Sequence, residues 1–247
     1  MSQIQLRTGD FALIVDLIGA FFKDGGLAVP GAEGIIQPIR TGIEKFPASQ
    51  RVNIREEHPV GAAYDVASYP GRVQGFLTLR EINADTVRLA PHATFTMEEL
   101  RAAAIRHTFQ RIMLWNTHAH TPEERMLHPL LRDLEFLFEI VKGTDRIVHS
   151  YSPFYDDLMR PTGLAAKLRA LNARRTFSFG LATDFCAGLC ALHAAWEGFE
   201  SYLVTDWCAA IDLPPMGGSP GTLEGMFQKL DEAGVIRITS AELLALS

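Results

Sequence analysis

The sequence predicts an α/β fold with a parallel sheet, because short apolar runs alternate with longer stretches of helical character. The apolar runs are too short for helices and lie at 11–15, 136–141, 176–181 and 201–205. The helical patterns cover 97–112, 161–171, 186–198 and 222–233. Two runs stop at an aspartate, Asp16 and Asp206, where a buried strand would reach its carboxyl end. Since open parallel sheets bind ligands beyond the carboxyl ends of their strands, we expect function there.

Length and composition favour one globular domain without nucleic-acid or membrane partners. The chain has 247 residues, of which 47% are apolar and 21% charged, and its net charge is -6. Its densest basic stretch, 168–175, is typical of a solvated helix end rather than of a nucleic-acid surface. The N-terminus lacks the ordered features of a secretion signal, and no apolar run is long enough to cross a bilayer. A cytoplasmic location is therefore expected.

Three residues at predicted strand ends could carry chemistry. Cys186 follows one predicted strand and opens a helix, a position where backbone N–H groups and the helix dipole lower a thiol pKa. Asp16 could act as its base, and Lys142 could extend an ammonium group into the same crevice. Each also has an ordinary interpretation from the residues alone: a buried thiol, a helix cap and a solvated lysine.

Four ordered segments of the chain resemble those of nicotinamidases, within the isochorismatase-like cysteine hydrolases. The first joins a strand end to a glycine-rich loop, the second surrounds Lys142, the third contains Cys186 and the fourth is the strand end that follows. These segments are Val15-Asp16-Leu17-Ile18-Gly19-Ala20-Phe21 with Gly25-Gly26-Leu27-Ala28-Val29-Pro30-Gly31; Lys142-Gly143-Thr144-Asp145 with Ser150-Tyr151-Ser152; Gly180-Leu181-Ala182-Thr183-Asp184-Phe185-Cys186; and Thr205-Asp206-Trp207-Cys208-Ala209-Ala210. The resemblance runs through most of the chain.

The resemblance implies a three-layer α/β/α Rossmann-like fold and a specific chemistry. Cys186 would attack an amide carbonyl and release ammonia, leaving a thioester that water hydrolyses. Asp16 would be the general base, and Lys142 its cationic partner. The family has a cis peptide before the nucleophile, which here would join Leu181 to Ala182. The N–H groups of Ala182 and Cys186 would then form the oxyanion hole.

The resemblance also implies a divalent metal ion, zinc, iron or manganese, as cofactor. Its ligands would be Glu56, His58 and His118, with Glu56 standing where the family commonly has aspartate. Carboxylate and imidazole ligands suit these metals. Asp65 is a fourth candidate by rough position. The alternatives in the same histidine-rich stretch are His120 and His128.

An aromatic wall for a flat heteroaromatic substrate is implied at Phe21, Trp115 and Tyr151. The chain departs from the family in an insertion at about 69–111, and it ends in a short helical extension at about 214–247. The insertion could cover the crevice, change the substrate or build a subunit interface. Relatives commonly form dimers or larger assemblies, so a homo-oligomer is compatible with the resemblance.

Deamidation of nicotinamide to nicotinate and ammonia, a step of pyridine nucleotide salvage, is the function that the resemblance implies. A first alternative keeps the same three residues but acts on another small amide, such as a substituted nicotinamide, a maleamate or a carbamoyl compound. A second is a non-catalytic member of the fold. A redox role for Cys186 and Cys190 is disfavoured, because their spacing differs from Cys-x-x-Cys.

Overall fold

A six-stranded parallel sheet forms the centre of the protein, in a computed structural model that describes residues 6–84, 86–106, 111–215 and 220–245. The strand order is β5-β2-β1-β6-β7-β8, and each neighbouring pair is parallel. The remaining two strands, β3 and β4, pair antiparallel in a separate sheet. The strands are β1 Asp10–Val15, β2 Arg51–Glu56, β3 Gly75–Thr78, β4 Arg111–Leu114, β5 Phe138–Lys142, β6 Arg175–Leu181, β7 Glu200–Ala209 and β8 Ile236–Ile238.

Helices cover both faces of the central sheet, which confirms the predicted α/β class. Alternate residues of β1 show this: Ala12 and Ile14 belong to a core shared with α1, whereas Leu13 and Val15 face a core shared with α5 and α6. The α-helices are α1 Ala32–Gly42, α2 Leu79–Asn83, α3 Met97–Arg106, α4 Pro122–Arg125, α5 Leu164–Ala170, α6 Cys186–Trp196, α7 Thr222–Glu232 and α8 Ser240–Leu244. None of the helices within the described residues has the length and apolar character needed to cross a bilayer.

The predicted segment boundaries need three corrections. The helix predicted at 97–112 ends at Arg106, and Arg111–Leu114 is a strand in which Ile112 and Leu114 are buried while Arg111 is exposed. Residues 107–110 of that prediction lie outside the described part. β7 does not stop at Asp206 but continues to Ala209. The helix predicted from 161 begins at Leu164, because Gly163 before it adopts a left-handed conformation with φ 93°.

The segment 69–111, assigned to an insertion, supplies β3, α2, α3 and the start of β4. Its apolar side chains form a satellite core with residues from the preceding loop, including Tyr64, Tyr69, Leu77, Leu100 and Ile112. The C-terminal segment contributes α7 and α8 and also β8, a strand that the sequence did not predict. The interpretation as one domain with an insertion stays a prediction.

Candidate active site

Four adjacent strands deliver polar side chains to one edge of the sheet. Asp16 follows β1 directly, and Glu56 and Lys142 are the last residues of β2 and β5. Cys186 opens α6, five residues after β6 ends at Leu181. Because these strands are parallel and lie side by side, their carboxyl ends meet, and the side chains converge as the sequence predicted.

The ammonium group of Lys142 lies at the centre of these side chains. Its Nζ is 2.9 Å from Asp16 Oδ2 and donates to Glu56 Oε1 at 2.8 Å and to Cys186 Sγ at 3.4 Å. Ligand atoms of Asp16, Glu56 and Cys186 lie within 4.8 Å of one another. Such a cluster could attract a metal ion, but here the lysine supplies the positive charge. Sequence reasoning assigned Glu56 only to metal and missed its contact with Lys142.

Burial and charge set the protonation of this group. The pKa of Asp16 is raised to about 7, mainly because burial disfavours the carboxylate, although the charge of Lys142 partly offsets this. Burial also raises the pKa of Cys186 well above its usual value, again opposed by Lys142. The expectation of a lowered thiol pKa is therefore wrong: a neutral thiol faces a carboxyl group of intermediate pKa. Burial disfavours the ammonium of Lys142, but Asp16, Cys186 and Glu56 together raise its pKa well above the usual value.

The turn that leads to Cys186 has the implied cis peptide between Leu181 and Ala182. The backbone N–H groups of Ala182 and Cys186 donate to no protein acceptor among the described residues, so both are available to a ligand. Gly180 is required just before the turn, because a Cβ atom there would meet Val15 O at 2.0 Å. This close approach of β6 to β1 brings the turn next to Asp16.

An aromatic pocket opens above Cys186. It is narrow and partly open to solvent. The three predicted residues, Phe21, Trp115 and Tyr151, all line it, and Trp115 Nε1 donates to Tyr151 OH at 2.8 Å. Sequence reasoning missed Phe185, whose ring meets that of Trp115 edge-on at 5.0 Å. Leu27, His118, His149, Ala182 and Ile211 complete much of the remaining lining.

Glu56 also faces the predicted metal-binding histidines. Nε2 of His118 and of His58 lie 3.2 and 3.3 Å from Glu56 Oε2. The other ring nitrogens are held by carbonyls: His58 Nδ1 lies 3.0 Å from Gly143 O, and His118 Nδ1 lies 2.6 Å from Asn116 O. For His58 this contact places the proton on Nδ1 and leaves Nε2 free as a ligand. His118 Nε2 instead hydrogen-bonds Glu56, and although burial disfavours its charged form, Glu56 raises the pKa of His118. Burial lowers the pKa of His58 to about 4, which keeps the ring neutral. The predicted residues thus offer one carboxylate and two imidazoles, which suit a divalent metal ion, but His118 meets the others through Glu56 only: the grouped ligand atoms among the described residues are those of Glu56, His58 and His149.

Gly143 makes room for this arrangement. Its φ is +72°, and a Cβ atom there would lie 2.6 Å from His58 Cε1. Its carbonyl also accepts from Tyr64 OH at 2.7 Å. The glycine after the lysine therefore lets the histidine pack directly against the Lys142 strand end.

The structure separates the other metal candidates from Glu56. Asp65 Oδ1 accepts from Thr117 Oγ1 at 2.8 Å, while its Oδ2 lies 3.5 Å from His120 Nε2. His128 packs on Phe22, with ring centroids 4.7 Å apart. A residue that sequence reasoning missed, His149, joins Glu56 and His58 instead. Its only sequence signal is its position in the segment that follows Lys142.

Several known proteins are similar to this chain in sequence or in fold. No family model matches the chain. It is 29% identical to a nicotinamidase of Acinetobacter baylyi over 234 residues, which cover 94% of this chain and 93% of the relative. Among solved structures, a nicotinamidase and pyrazinamidase of Acinetobacter baumannii is similar with a TM-score of 0.78 and 26% identity, over 97% of this chain and 100% of that one.

Two further solved structures contain bound groups. A protein of L. infantum in complex with nicotinate has a TM-score of 0.71 and 24% identity, over 97% of each chain. A pyrazinamidase of Pyrococcus horikoshii in complex with zinc has a TM-score of 0.62 and 21% identity, over 94% of this chain and 99% of that one.

The parallel sheet, the convergent strand ends and these relatives define an amidohydrolase with the isochorismatase-like fold. Within these hydrolases, the chain is similar to nicotinamidases and pyrazinamidases.

Proposed function

We propose that this protein deamidates nicotinamide to nicotinate and ammonia, with Cys186 as nucleophile, Asp16 as general base and Lys142 as their cationic partner. The contact of one buried ammonium group with Asp16, Glu56 and the Cys186 thiol carries the proposal. This group lies below an aromatic pocket, as a flat heteroaromatic amide requires. The relatives that carry the name nicotinamidase support this choice of substrate.

In the first half-reaction Sγ of Cys186 attacks the carboxamide carbon, and a C–S bond forms. The thiol proton passes to the Asp16 carboxylate, which is the base that a neutral thiol requires. Negative charge develops on the carbonyl oxygen, where the free N–H groups of Ala182 and Cys186 stabilise it. Asp16 then gives its proton to the departing nitrogen, the C–N bond breaks and ammonia leaves. A thioester remains on Cys186.

In the second half-reaction water attacks the thioester carbonyl, and Asp16 accepts a proton from the water. The same two N–H groups stabilise the second oxyanion. The C–S bond breaks and the thiolate recovers a proton from Asp16. The product leaves as nicotinic acid, which loses the remaining proton of the water to solvent and becomes nicotinate. Lys142 keeps a positive charge beside both groups throughout, which stabilises the carboxylate and the transient thiolate.

Glu56, His58 and His118 would hold a divalent metal ion beside the pocket. When bound, the ion would bind and orient the pyridine nitrogen of the substrate. Their carboxylate and imidazole donors suit zinc, iron or manganese, and the zinc complex of the P. horikoshii relative supports a metal here. Phe21, Trp115 and Tyr151 would enclose the ring between this site and Cys186.

Ammonia release from nicotinamide by the purified, metal-loaded protein tests the proposal. Cys186→Ala should abolish turnover, while Cys190→Ala, which removes a buried thiol that contacts Ser178, should retain it. Mass spectrometry of the rapidly quenched reaction should show the acyl adduct on a peptide that contains Cys186. A well-folded, metal-loaded protein without ammonia release would refute nicotinamide as substrate. Turnover of another amide from a panel would then identify a different amidase.

A further inference from the structure

The geometry points to His149 as a fourth protein ligand of the metal ion, beside Glu56, His58 and His118, with Asp157 as the carboxylate that orients it. This inference rests on the proposed metal site and not on nicotinamide as substrate. The site would thus contain three imidazoles and one carboxylate.

The distances around Glu56 carry the argument. Three imidazole Nε2 atoms surround its carboxylate: His118 and His58 lie 3.2 and 3.3 Å from Oε2, and His149 lies 3.2 Å from Oε1. Ligand atoms bound at about 2.0–2.1 Å to one tetrahedral ion lie about 3.3–3.4 Å apart. The distance from His149 to Glu56 matches those of the two predicted ligands, and ligand atoms of Glu56, His58 and His149 all lie within 4.8 Å of one another.

Two of these nitrogens also have no other partner. Within the described residues, Nε2 of His58 and Nε2 of His149 make no hydrogen bond, although their side chains are only 2% and 5% exposed. Leaving a buried polar atom unpaired is unfavourable, so two such atoms facing one carboxylate indicate a common ligand. Glu56 does not need them as counter-charges, because Lys142 already donates to Oε1 at 2.8 Å.

The surroundings of His149 hold its ring in this position. The ring centroids of Tyr151 and Tyr64 lie 4.1 and 4.7 Å away, both edge-on, and that of His58 lies 5.1 Å away. On the far side of the ring, Nδ1 lies 4.0 Å from Asp157 Oδ2, while Asp157 N donates to His149 O at 3.0 Å. Metal-binding histidines typically direct their second nitrogen to a carbonyl or carboxylate. His149 Nδ1 makes no hydrogen bond among the described residues, so metal binding would draw it towards the Asp157 carboxylate, as Gly143 O already holds His58 Nδ1.

Metal binding by the apo protein tests the inference without any substrate. Zn²⁺ affinity is measured in competition with a chromophoric chelator, and Co²⁺ binding is followed by its visible absorption. His149→Phe keeps an aromatic ring among the tyrosines but removes the ligand, so we expect Zn²⁺ affinity to fall by at least about tenfold and the Co²⁺ spectrum to change. Asp157→Asn should give a smaller fall.

His193→Phe is the matched control, because His193 is also buried, lies between Tyr155 and Trp196, and has an unpaired Nδ1 among the described residues. It should bind Zn²⁺ as the wild type does. X-ray absorption of the wild-type zinc protein needs no variant and should count three imidazoles. Two imidazoles, or unchanged affinity and Co²⁺ spectrum in folded His149→Phe, would overturn the assignment. A wild type that binds no metal but releases ammonia from nicotinamide would overturn it and leave the proposed function standing.

Discussion

The two halves of the site meet at Glu56 but are built in different ways. The half around Lys142 comes from strand ends, and its charges compensate one another within the chain. The histidine half comes from loops, except for Glu56 itself, and leaves three buried nitrogens of His58 and His149 unpaired among the described residues. The first half therefore contains its own cation, whereas the second offers unpaired donors to the proposed metal ion. The predictions below test this division.

The largest effect is expected from removing the central ammonium group. Lys142→Met should abolish turnover and lower the free energy of unfolding by about 3–5 kcal/mol, because it leaves the buried Asp16 and Glu56 without their shared cation. Ammonia release and urea unfolding would measure the two effects. Lys167→Met serves as control, since Lys167 is exposed on α5 and lies over the Phe138 ring. Comparable stability loss in both variants would contradict a special role of Lys142.

The strand-end half was predictable because the end of an apolar run in the sequence marks the end of a buried strand. The apolar runs of β1 and β6 stop next to Asp16 and before Cys186, so the pattern indicated both the sheet and the edge. β2 escaped prediction since it carries Arg51, Asn53 and Arg55. In the structure Asn53 and Arg55 both donate to Glu139 of β5. These hydrogen bonds allow polar residues to occupy a strand inside the sheet, so β2 has no continuous apolar run.

The histidine half was only partly predictable because loop closure, not periodicity, determines it. The resemblance supplied His58 and His118, but His149 reaches Glu56 only through the path of the chain after Gly143. The raised thiol pKa of Cys186 could not be predicted either. It follows from burial, which disfavours the thiolate more strongly than Lys142 favours it.

The pH dependence of kcat/KM should follow the ionisation of the Asp16 carboxyl group. Its pKa is raised to about 7, mainly by burial, so below that pH the carboxyl group carries a proton and cannot accept the thiol proton. We expect kcat/KM to fall by about tenfold per pH unit on the acid side of about pH 7. A pH profile of ammonia release would measure this, with urea unfolding checked at each pH. An activity that stays constant from pH 8 to pH 5 would contradict Asp16 as the base.

Removing the metal ion should weaken substrate binding but leave the reactivity of Cys186 nearly unchanged. In the stripped protein we expect KM for nicotinamide to rise by about tenfold, which corresponds to about 1.4 kcal/mol of lost binding. The rate at which iodoacetamide alkylates Cys186 should change by less than about twofold, because the Lys142 contacts do not involve the metal ligands apart from Glu56. Steady-state kinetics and mass spectrometry provide the two readouts. A parallel loss of alkylation would mean that the metal also orders the nucleophile.

The smallest effect should come from the contact between the nucleophile turn and the pocket wall. Asp184 accepts from Ile211 N and Asp212 N at 3.0 and 2.9 Å and from Thr222 Oγ1 at 2.6 Å, and Ile211 lines the pocket. Asp184→Asn keeps the shape but weakens these charge-assisted bonds, so we expect a loss of about 1–2 kcal/mol in stability and a rise of about threefold in KM with kcat nearly unchanged. Asp206→Asn is the control, because Asp206 makes a similar contact with Ser240 away from the pocket. If both variants raise KM equally, the effect reflects a general loss of stability. A rise in KM confined to Asp184→Asn would show that the loop after β7 positions the substrate.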